Sequence, residues 1–170
     1  MALAIDDQPT KSVNILALAG FVGGTLAVGA LGGYATSAGL DGWYASLARP
    51  PLTPSDHIFG PVWTALYVMM AVSAWLVWTR EVGLVRRQIM AIYGAQLALN
   101  FGWSILFFYL RSPLFALSEI LVLIFVVLAM TRFFWWRNPY AGALLVPYVL
   151  WLAFAAYLNA GFWLMNTPVT

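Results

Sequence analysis

Residues 113–134 read PLFALSEILVLIFVVLAMTRFF, a stretch in which only Glu119 and Arg132 carry charge. An apolar run of about 22 residues is long enough to cross the ~30 Å hydrocarbon core of a bilayer as a helix. Four further apolar stretches of similar length cover residues 13–36, 58–79, 88–110 and 140–164. The sequence therefore predicts an all-α membrane protein, a bundle of five transmembrane helices that forms a single domain over residues 1–170.

One long connection is expected, at residues 37–57 between helices 1 and 2. It holds Gly39, Gly42, Pro50, Pro51 and Pro54, residue types that break helices or begin turns. The other connections are short. We interpret the long loop as a lid over one end of the bundle.

The composition also indicates a membrane protein. Apolar residues make up 63% of the chain and charged residues 8%, whereas ordinary globular chains have ~25% charged residues. The nine Trp and eight Tyr are residue types enriched at membrane interfaces. The net charge of +2 comes from scattered side chains without a basic run, which argues against a nucleic acid partner. Cysteine is absent, which excludes disulfides, thiolate metal sites and haem attachment through Cys.

The distribution of Lys and Arg predicts the orientation, because positive residues are retained on the cytoplasmic side. Arg49 and Arg111 fall at one end of the predicted spans. The residues at the other, amino-terminal end are Lys11, Arg80, Arg86, Arg87, Arg132 and Arg137. We therefore expect an integral multi-pass protein of a bacterial cell membrane, with the amino terminus cytoplasmic. The first twelve residues include two acids and Pro9, unlike a signal peptide, and are expected to be a short soluble tail.

The third predicted helix has two distinct faces. Gly94, Ala98 and Gly102 form a stripe of small residues that would let another helix approach closely, which favours a homodimer seam or tight packing within the chain. A competing seam lies in the first helix, at residues 20–24 and 29–33, where glycines recur four apart. Gln96 and Asn100 lie on the opposite face of the third helix, where they would either line an inward-facing site or bond another helix.

Aromatic residues recur at helical spacing on two other helices. Trp63 and Tyr67 share a face of the second helix, and Trp151 and Ala155 share one of the fifth. Such stripes are consistent either with packing or with the wall of a ligand pocket.

Conventional catalytic groups are missing from the sequence. It has no phosphate-binding loop, no Ser-His-Asp set and no paired carboxylates. Glu119 lies near the predicted outer boundary, where we expect it to reach the interface or to pair with Arg111. His57 is the only histidine, and we expect it to be solvated rather than to bind a haem iron.

Four motifs resemble the translocator protein family, also called tryptophan-rich sensory proteins or peripheral-type benzodiazepine receptors. They are Trp43-Tyr44-x-x-Leu47-x-Arg49-Pro50, Phe59-Gly60-Pro61-Val62-Trp63-Thr64-x-Leu66-Tyr67, Gln96-Leu97-Ala98-Leu99-Asn100-x-x-Trp103, and Pro147-Tyr148-x-x-Trp151-x-x-Phe154-Ala155-x-x-Leu158-Asn159. They occur in the family's order, and the resemblance covers nearly all of the chain after about residue 15. It implies a dimeric bundle of five helices that binds porphyrins such as protoporphyrin IX.

The resemblance also implies which residues form the site. Trp63, Asn100, Trp151 and Ala155 match positions that line the family's pocket. The full set of candidate ligand-binding residues is Trp43, Trp63, Tyr67, Gln96, Asn100, Trp103, Tyr148, Trp151 and Ala155. No metal site is expected, and no cofactor is required, with porphyrin or haem as ligand.

This sequence departs from the family's pattern in the long loop and in the fifth helix. In the loop, Arg49 replaces a Lys, Leu52 a Trp and Ser55 a Pro. In the fifth helix, Tyr157 is followed by no Lys or Arg, so the weak cholesterol motif of the family is incomplete.

Three functions stay open at this point. The first is a sensory or translocator protein that binds tetrapyrroles and other lipophilic ligands, with a role in their transport or regulation. The second is a light-dependent enzyme that degrades porphyrin and uses Trp63 and Trp151 as redox partners. The third is a small proton-coupled exporter, for which Glu119 is the available intramembrane acid.

Overall fold

The computed structural model describes residues 11–167, except for the side chains at positions 11–13, 38 and 41. The predicted soluble tail falls on residues 1–10, outside the described part, and on Lys11 and Ser12, which begin the first helix. Over the described range the chain is helical, without strands, and five helices are long and apolar enough to cross a membrane. They are α1 (Lys11–Gly39), α2 (Asp56–Trp78), α3 (Gly83–Ser104), α4 (Pro113–Arg137) and α5 (Pro139–Asn166). The predicted fold class is therefore confirmed.

The loop between α1 and α2 is shorter than the predicted residues 37–57. The chain continues from α1 into a wider π-helical turn, Leu40–Tyr44, and only residues 47–55 are irregular. Gly39 is the last residue of α1, but the chain passes from it directly into the π-helical turn. It lies against Phe108, where an added Cβ would come within 2.6 Å of a backbone oxygen. Gly42 has a positive φ of 84°, a conformation that glycine adopts at low cost, within this turn. Here the two glycines permit close packing and a wide turn.

α3 also ends in a π-helical turn, Ile105–Tyr109, and it begins at Gly83 rather than at residue 88. Arg86 and Arg87 therefore lie inside the first turns of the helix instead of in the connection before it. The guanidinium of Arg86 stacks over the ring of Trp78 at 4.3 Å, and its Nε donates to the carbonyl of Glu81. These contacts let a charged residue occupy the end of a spanning helix.

The starts of α4 and α5 follow from their sequence. Each has a proline at the first helical position, Pro113 and Pro139, where the missing N–H would have no helical partner. Asn138 precedes α5, and its side-chain oxygen accepts a hydrogen bond of 3.1 Å from the N–H of Tyr140. This is the bond expected of a helix N-cap.

The core lies where α2, α3, α4 and α5 meet. Met70, Ile89, Val127, Met130 and Leu145 are fully buried there. α1 covers this group from one side and is the least buried helix, with 11% of its most apolar stretch inside the protein. The small residues that α1 presents to the bundle leave room for a cavity beside it.

Candidate functional site

A cavity of about 450 Å³ lies between α1, α2, α3 and α5. Ligand sites for small molecules occupy ~300–1,000 Å³, so this volume is of the right size for one. Asp56 is the only charged residue among those that line it. The lining comprises Leu26, Gly29, Ala30, Gly32, Gly33, Thr36, Leu40, Tyr44, Asp56, Phe59, Gly60, Trp63, Thr64, Tyr67, Asn100, Trp103, Ser104, Phe107, Phe108, Trp151, Ala155, Leu158, Asn159 and Phe162.

Aromatic rings form one wall of the cavity. Trp63 is stacked on Tyr67, with ring centroids 5.5 Å apart and an interplanar angle of 30°. Trp151 meets Trp63 edge to face, with centroids 6.4 Å apart and an angle of 88°. On α3, Trp103 is stacked on Phe107 at 5.2 Å. The sequence predicted the faces that carry these residues, and the structure brings them together.

Small residues of α1 form the opposite wall. Gly29, Ala30, Gly32 and Gly33 line the cavity and contribute almost no side-chain volume. Gly29 lies against the Tyr67 ring, and a Cβ at Gly32 would come 3.4 Å from the Ser104 hydroxyl oxygen. Sequence reasoning missed these residues as lining positions, because glycines four apart also indicate a helix seam.

A chain of hydrogen bonds continues from the wall into the core. The Tyr67 hydroxyl donates to Oδ1 of Asn100 at 2.5 Å, and Nδ2 of Asn100 donates to the Tyr148 hydroxyl at 3.1 Å. Tyr148 in turn donates to Oε1 of Gln96 at 3.1 Å. Asn100 reaches the cavity, whereas Gln96 and Tyr148 are fully buried and do not line it. Gln96 and Tyr148, which were predicted to bind the ligand, therefore lie behind the cavity wall, and each is turned toward a partner on another helix.

A second hydrogen-bond network lies at the end of the cavity where α3 ends and α4 begins. Nε1 of Trp103 donates to Oδ1 of Asn159 at 3.0 Å, and Nδ2 of Asn159 donates to the carbonyl of Pro113 at 2.7 Å. Asn159 thereby links α3, α4 and α5 and also lines the cavity. It lies in the fourth sequence motif but was not among the predicted site residues.

Trp43 does not line the cavity. It lies in the turn after α1 and meets Phe107 edge to face at 5.8 Å. Since Phe107 is a lining residue, Trp43 supports the wall from behind. Six of the nine predicted ligand-binding residues thus line the cavity, namely Trp63, Tyr67, Asn100, Trp103, Trp151 and Ala155.

Residues 47–55 pack on α5 and form hydrogen bonds with it. Asn166 accepts a hydrogen bond of 2.8 Å from the N–H of Ala48 and donates one of 3.0 Å to its carbonyl. The Tyr157 hydroxyl donates to the carbonyl of Pro51 at 3.1 Å. A Cβ added at Gly161 would come within 2.5 Å of Pro50, so the loop lies directly on this part of α5.

The same loop is joined to α2 by an ion pair. The two terminal nitrogens of Arg49 donate to the two carboxylate oxygens of Asp56 at 3.1 and 3.3 Å. The bonds to Asp56 hold the pKa of the exposed Arg49 above its ordinary value. Arg49 also lies 5.0 Å over the ring of Tyr44. Burial raises the pKa of the Tyr44 hydroxyl, and the nearby charge of Arg49 partly opposes this shift.

Leu52, at the loop position where the sequence departs from the family's Trp, is 79% exposed.

The predicted pairing of Glu119 with Arg111 is wrong. Arg111 is exposed, whereas both carboxyl oxygens of Glu119 are buried and have no hydrogen-bond partner within residues 11–167. His57 is exposed in the first turn of α2. Across the described part of the chain, no three His, Asp or Glu side chains come together as metal ligands would.

Five apolar helices around a tryptophan-lined cavity define an integral, multi-pass membrane protein with a tryptophan-rich internal site. The chain belongs to the TspO/MBR family, which it matches over residues 21–164. The predicted resemblance is thereby confirmed.

Relatives come from distant organisms. The chain is 36% identical over 154 residues to the tryptophan-rich protein TspO of Archaeoglobus fulgidus, covering 91% of this chain and 99% of the relative. It is 40% identical over 150 residues to the protein of the same name from Chlorobaculum tepidum, covering 86% and 93%. The human translocator protein is 36% identical over 126 residues, covering 73% of this chain and 75% of the relative. The chain is therefore a membrane protein of the tryptophan-rich sensory and translocator type.

Proposed function

We propose that the chain binds porphyrins, such as protoporphyrin IX and haem-type tetrapyrroles, and other lipophilic ligands in the cavity, with a role in their transport or regulation. The observation that carries this proposal is the wall formed by Trp63, Tyr67, Trp103 and Trp151 opposite the glycines of α1. A wide aromatic wall that faces a wall without bulky side chains suits a flat, apolar ring system.

The binding free energy would come mainly from the burial of apolar area, at ~25 cal/mol per Å². Aromatic contacts add ~0.5–1.5 kcal/mol each. A cavity wall that offers mainly apolar area and aromatic rings favours a flat ligand with few hydrogen-bonding groups.

Titration of the purified protein with protoporphyrin IX tests the proposal. The tryptophans of the cavity should be quenched in a saturable manner, because the porphyrin would lie beside them. Linear quenching without saturation, equal to that of free tryptophan in the same detergent, would contradict it.

A light-dependent enzyme is the alternative that a specific observation favours. Trp63 and Trp151 both line the cavity and lie edge to face, so a bound porphyrin would lie close to two oxidisable indoles. Absorbance of the bound pigment under illumination separates the two functions. A loss of porphyrin absorbance that depends on the protein would support the enzyme, and a stable spectrum would support binding alone.

We also propose that the protein is a homodimer. Gly94 and Ala98 are exposed on the outer face of α3, and a Cβ at Gly94 or Gly102 would meet no atom within 4 Å. This flat stripe would let the backbone of a second copy approach closely in lipid.

For the orientation, we propose a bacterial cell membrane with the amino terminus cytoplasmic. The six basic residues at the amino-terminal side of the spans support it. The chain has no cysteine, so a single introduced cysteine can report on which side of the membrane its position lies. In intact cells, a membrane-impermeant maleimide should label Ser55→Cys in the loop and spare Thr79→Cys; the reverse pattern would invert the topology.

A further inference from the structure

Glu119 is a buried acid that the proposed function does not use. It lies in α4, one of the five helices that are long and apolar enough to cross a membrane. Six residues separate it from Pro113, the first residue of the helix, which places it about 9 Å along the axis at ~1.5 Å per residue. Both of its carboxyl oxygens are buried and unpartnered within residues 11–167. A titratable group is therefore held inside the protein, less than two turns from the start of the span.

The helices that pack against α4 bring no opposite charge within ion-pair distance of Glu119 in the described chain. In α2 the titratable residues are Asp56 and His57, both exposed in its first turn, and Tyr67. The sequence of α5, residues 139–166, contains no Asp, Glu, Lys, Arg or His, and the turn at residues 105–109 contains none either. The charged residues of α3 are Arg86 and Arg87, in its first turns at the other end of the span. Within α4 the nearest cation is Arg132, thirteen residues away, or about 20 Å along the helix.

The titratable hydroxyls near this region are already engaged. The Tyr148 hydroxyl accepts from Asn100 and donates to Gln96. Tyr67 donates to Asn100, and Tyr93 forms a hydrogen bond with Thr25. Glu119 therefore has no cation and no free hydroxyl facing it from its neighbours in the described chain.

The missing partners determine which form of the carboxyl is favoured. An unpaired carboxylate in a low-dielectric interior costs several kcal/mol, whereas a buried neutral group without a partner costs ~1–3 kcal/mol. Burial without partners therefore raises the free energy of the carboxylate more than that of the neutral acid, which favours the protonated form.

We infer that Glu119 is an intramembrane proton-binding site, which holds one proton as a neutral carboxylic acid near neutral pH. Residues that follow Glu119 on α4 lie next to the wall of the ligand cavity. Ile120 and Leu123 line a small void together with Trp63, Asn100 and Trp103. Release of the proton would place an unpaired negative charge between α4 and its neighbours beside the ligand site.

Infrared spectroscopy of the full-length protein in lipid tests the inference. At pH 7 the unmodified protein should show the carbonyl stretch of a protonated carboxyl, and Glu119→Gln should lack that band. Glu81→Gln is the matched control and should retain it, because Glu81 lies 3.5 Å from Arg137, an opposite charge that Glu119 lacks. If the unmodified protein has no such band at pH 7, or if Glu119→Gln keeps it, the inference is overturned.

Labelling with dicyclohexylcarbodiimide provides a second measurement on the unmodified chain, for the case that Glu119→Gln does not fold. The protonated acid adds its O–H across one C=N bond of this apolar reagent. Mass spectrometry should locate the adduct on Glu119 and not on Glu81 at pH 7, and the yield should fall at alkaline pH. Labelling of Glu119 at pH 5 but not at pH 7 would show that the carboxyl is ionised under neutral conditions, which contradicts the inference.

Thermal unfolding separates a proton site from a merely structural acid. The folded state would keep a proton that the unfolded chain releases, so the unmodified protein should lose Tm as the pH rises above ~4.3, the ordinary pKa of Glu, to neutral pH. Glu119→Gln has no proton to lose and should show a smaller decline. Equal declines in the two proteins would argue against the inference.

Discussion

The hydroxyl of Tyr67 donates a 2.5 Å hydrogen bond to Oδ1 of Asn100, and this bond joins the cavity wall to the core beneath it. Nδ2 of Asn100 bonds Tyr148, so both polar atoms of the amide have partners inside the protein. Asn100 is 5% exposed and Tyr67 is 8% exposed. The amide therefore positions the ring of Tyr67, on which Trp63 is stacked.

Replacement of Asn100 by Leu should destabilise the protein, because it leaves the hydroxyls of Tyr67 and Tyr148 with fewer partners. An unsatisfied buried group costs ~1–3 kcal/mol, so we expect a loss of about 2 kcal/mol or more in the free energy of unfolding. Tyr67→Phe removes only the first bond and should lose about 1 kcal/mol. Denaturation in detergent measures both. Equal stability of Asn100→Leu and the unmodified protein would refute this role.

Trp63→Phe and Trp151→Phe should each weaken porphyrin binding by no more than about tenfold, equivalent to ~1.4 kcal/mol. Phenylalanine keeps an aromatic ring and much of the apolar area, but it lacks the oxidisable indole and its N–H. Under the enzymatic alternative, the same variants should still bind protoporphyrin but stop its light-driven loss of absorbance. Fluorescence titration and illumination of one sample give both results. A loss of affinity far beyond tenfold would mean that the indoles do more than provide area.

Asn166→Ala should speed the exchange of ligand, because it removes both hydrogen bonds between α5 and Ala48. Each bond contributes ~0.5–1.5 kcal/mol, so a rise of about tenfold in the dissociation rate is expected if the loop must open. Stopped-flow fluorescence measures the rate. Thr167→Ala is the control, since that hydroxyl bonds only the carbonyl of Trp163 in its own helix. Identical rates in both variants would show that the loop does not limit exchange.

Ala98→Leu should weaken the proposed dimer by about tenfold or more, because a larger side chain on the flat stripe of α3 keeps two backbones apart. Ala129→Leu makes the same change on the exposed face of α4 and should leave association intact. Crosslinking or energy transfer between labelled copies in lipid measures the effect. Detection of monomers alone in the unmodified protein would rule the dimer out.

The sequence predicted the parts of the fold that depend on length and local pattern. Five apolar runs predicted five helices, and helical spacing placed Trp63 with Tyr67 and Trp151 with Ala155 on lining faces. It could not show which polar residue would face the cavity. Gln96 and Asn100 share one face of α3, but Tyr148 of another helix covers Gln96, and this depends on how the helices are arranged in space.

Two other features were beyond sequence reasoning for the same reason. Gly39 predicts the start of an irregular loop by composition, yet it is packed against Phe108 and the chain passes from it into a π-helical turn. Glu119 lies close enough to the predicted boundary to reach water, but in the packed bundle its carboxyl is turned inward. In both cases a contact between distant segments overrides the local preference.

The central claim is that the cavity between α1, α2, α3 and α5 is the binding site, and one pair of variants tests it most directly. Ala155 lines the cavity, and Ala153, two residues earlier on α5, is exposed on the outer face. Ala155→Phe should fill part of the cavity and reduce protoporphyrin affinity by at least about tenfold, while Ala153→Phe should bind like the unmodified protein. Saturable quenching with the same dissociation constant in folded Ala155→Phe and in Ala153→Phe would contradict the claim and place the ligand elsewhere.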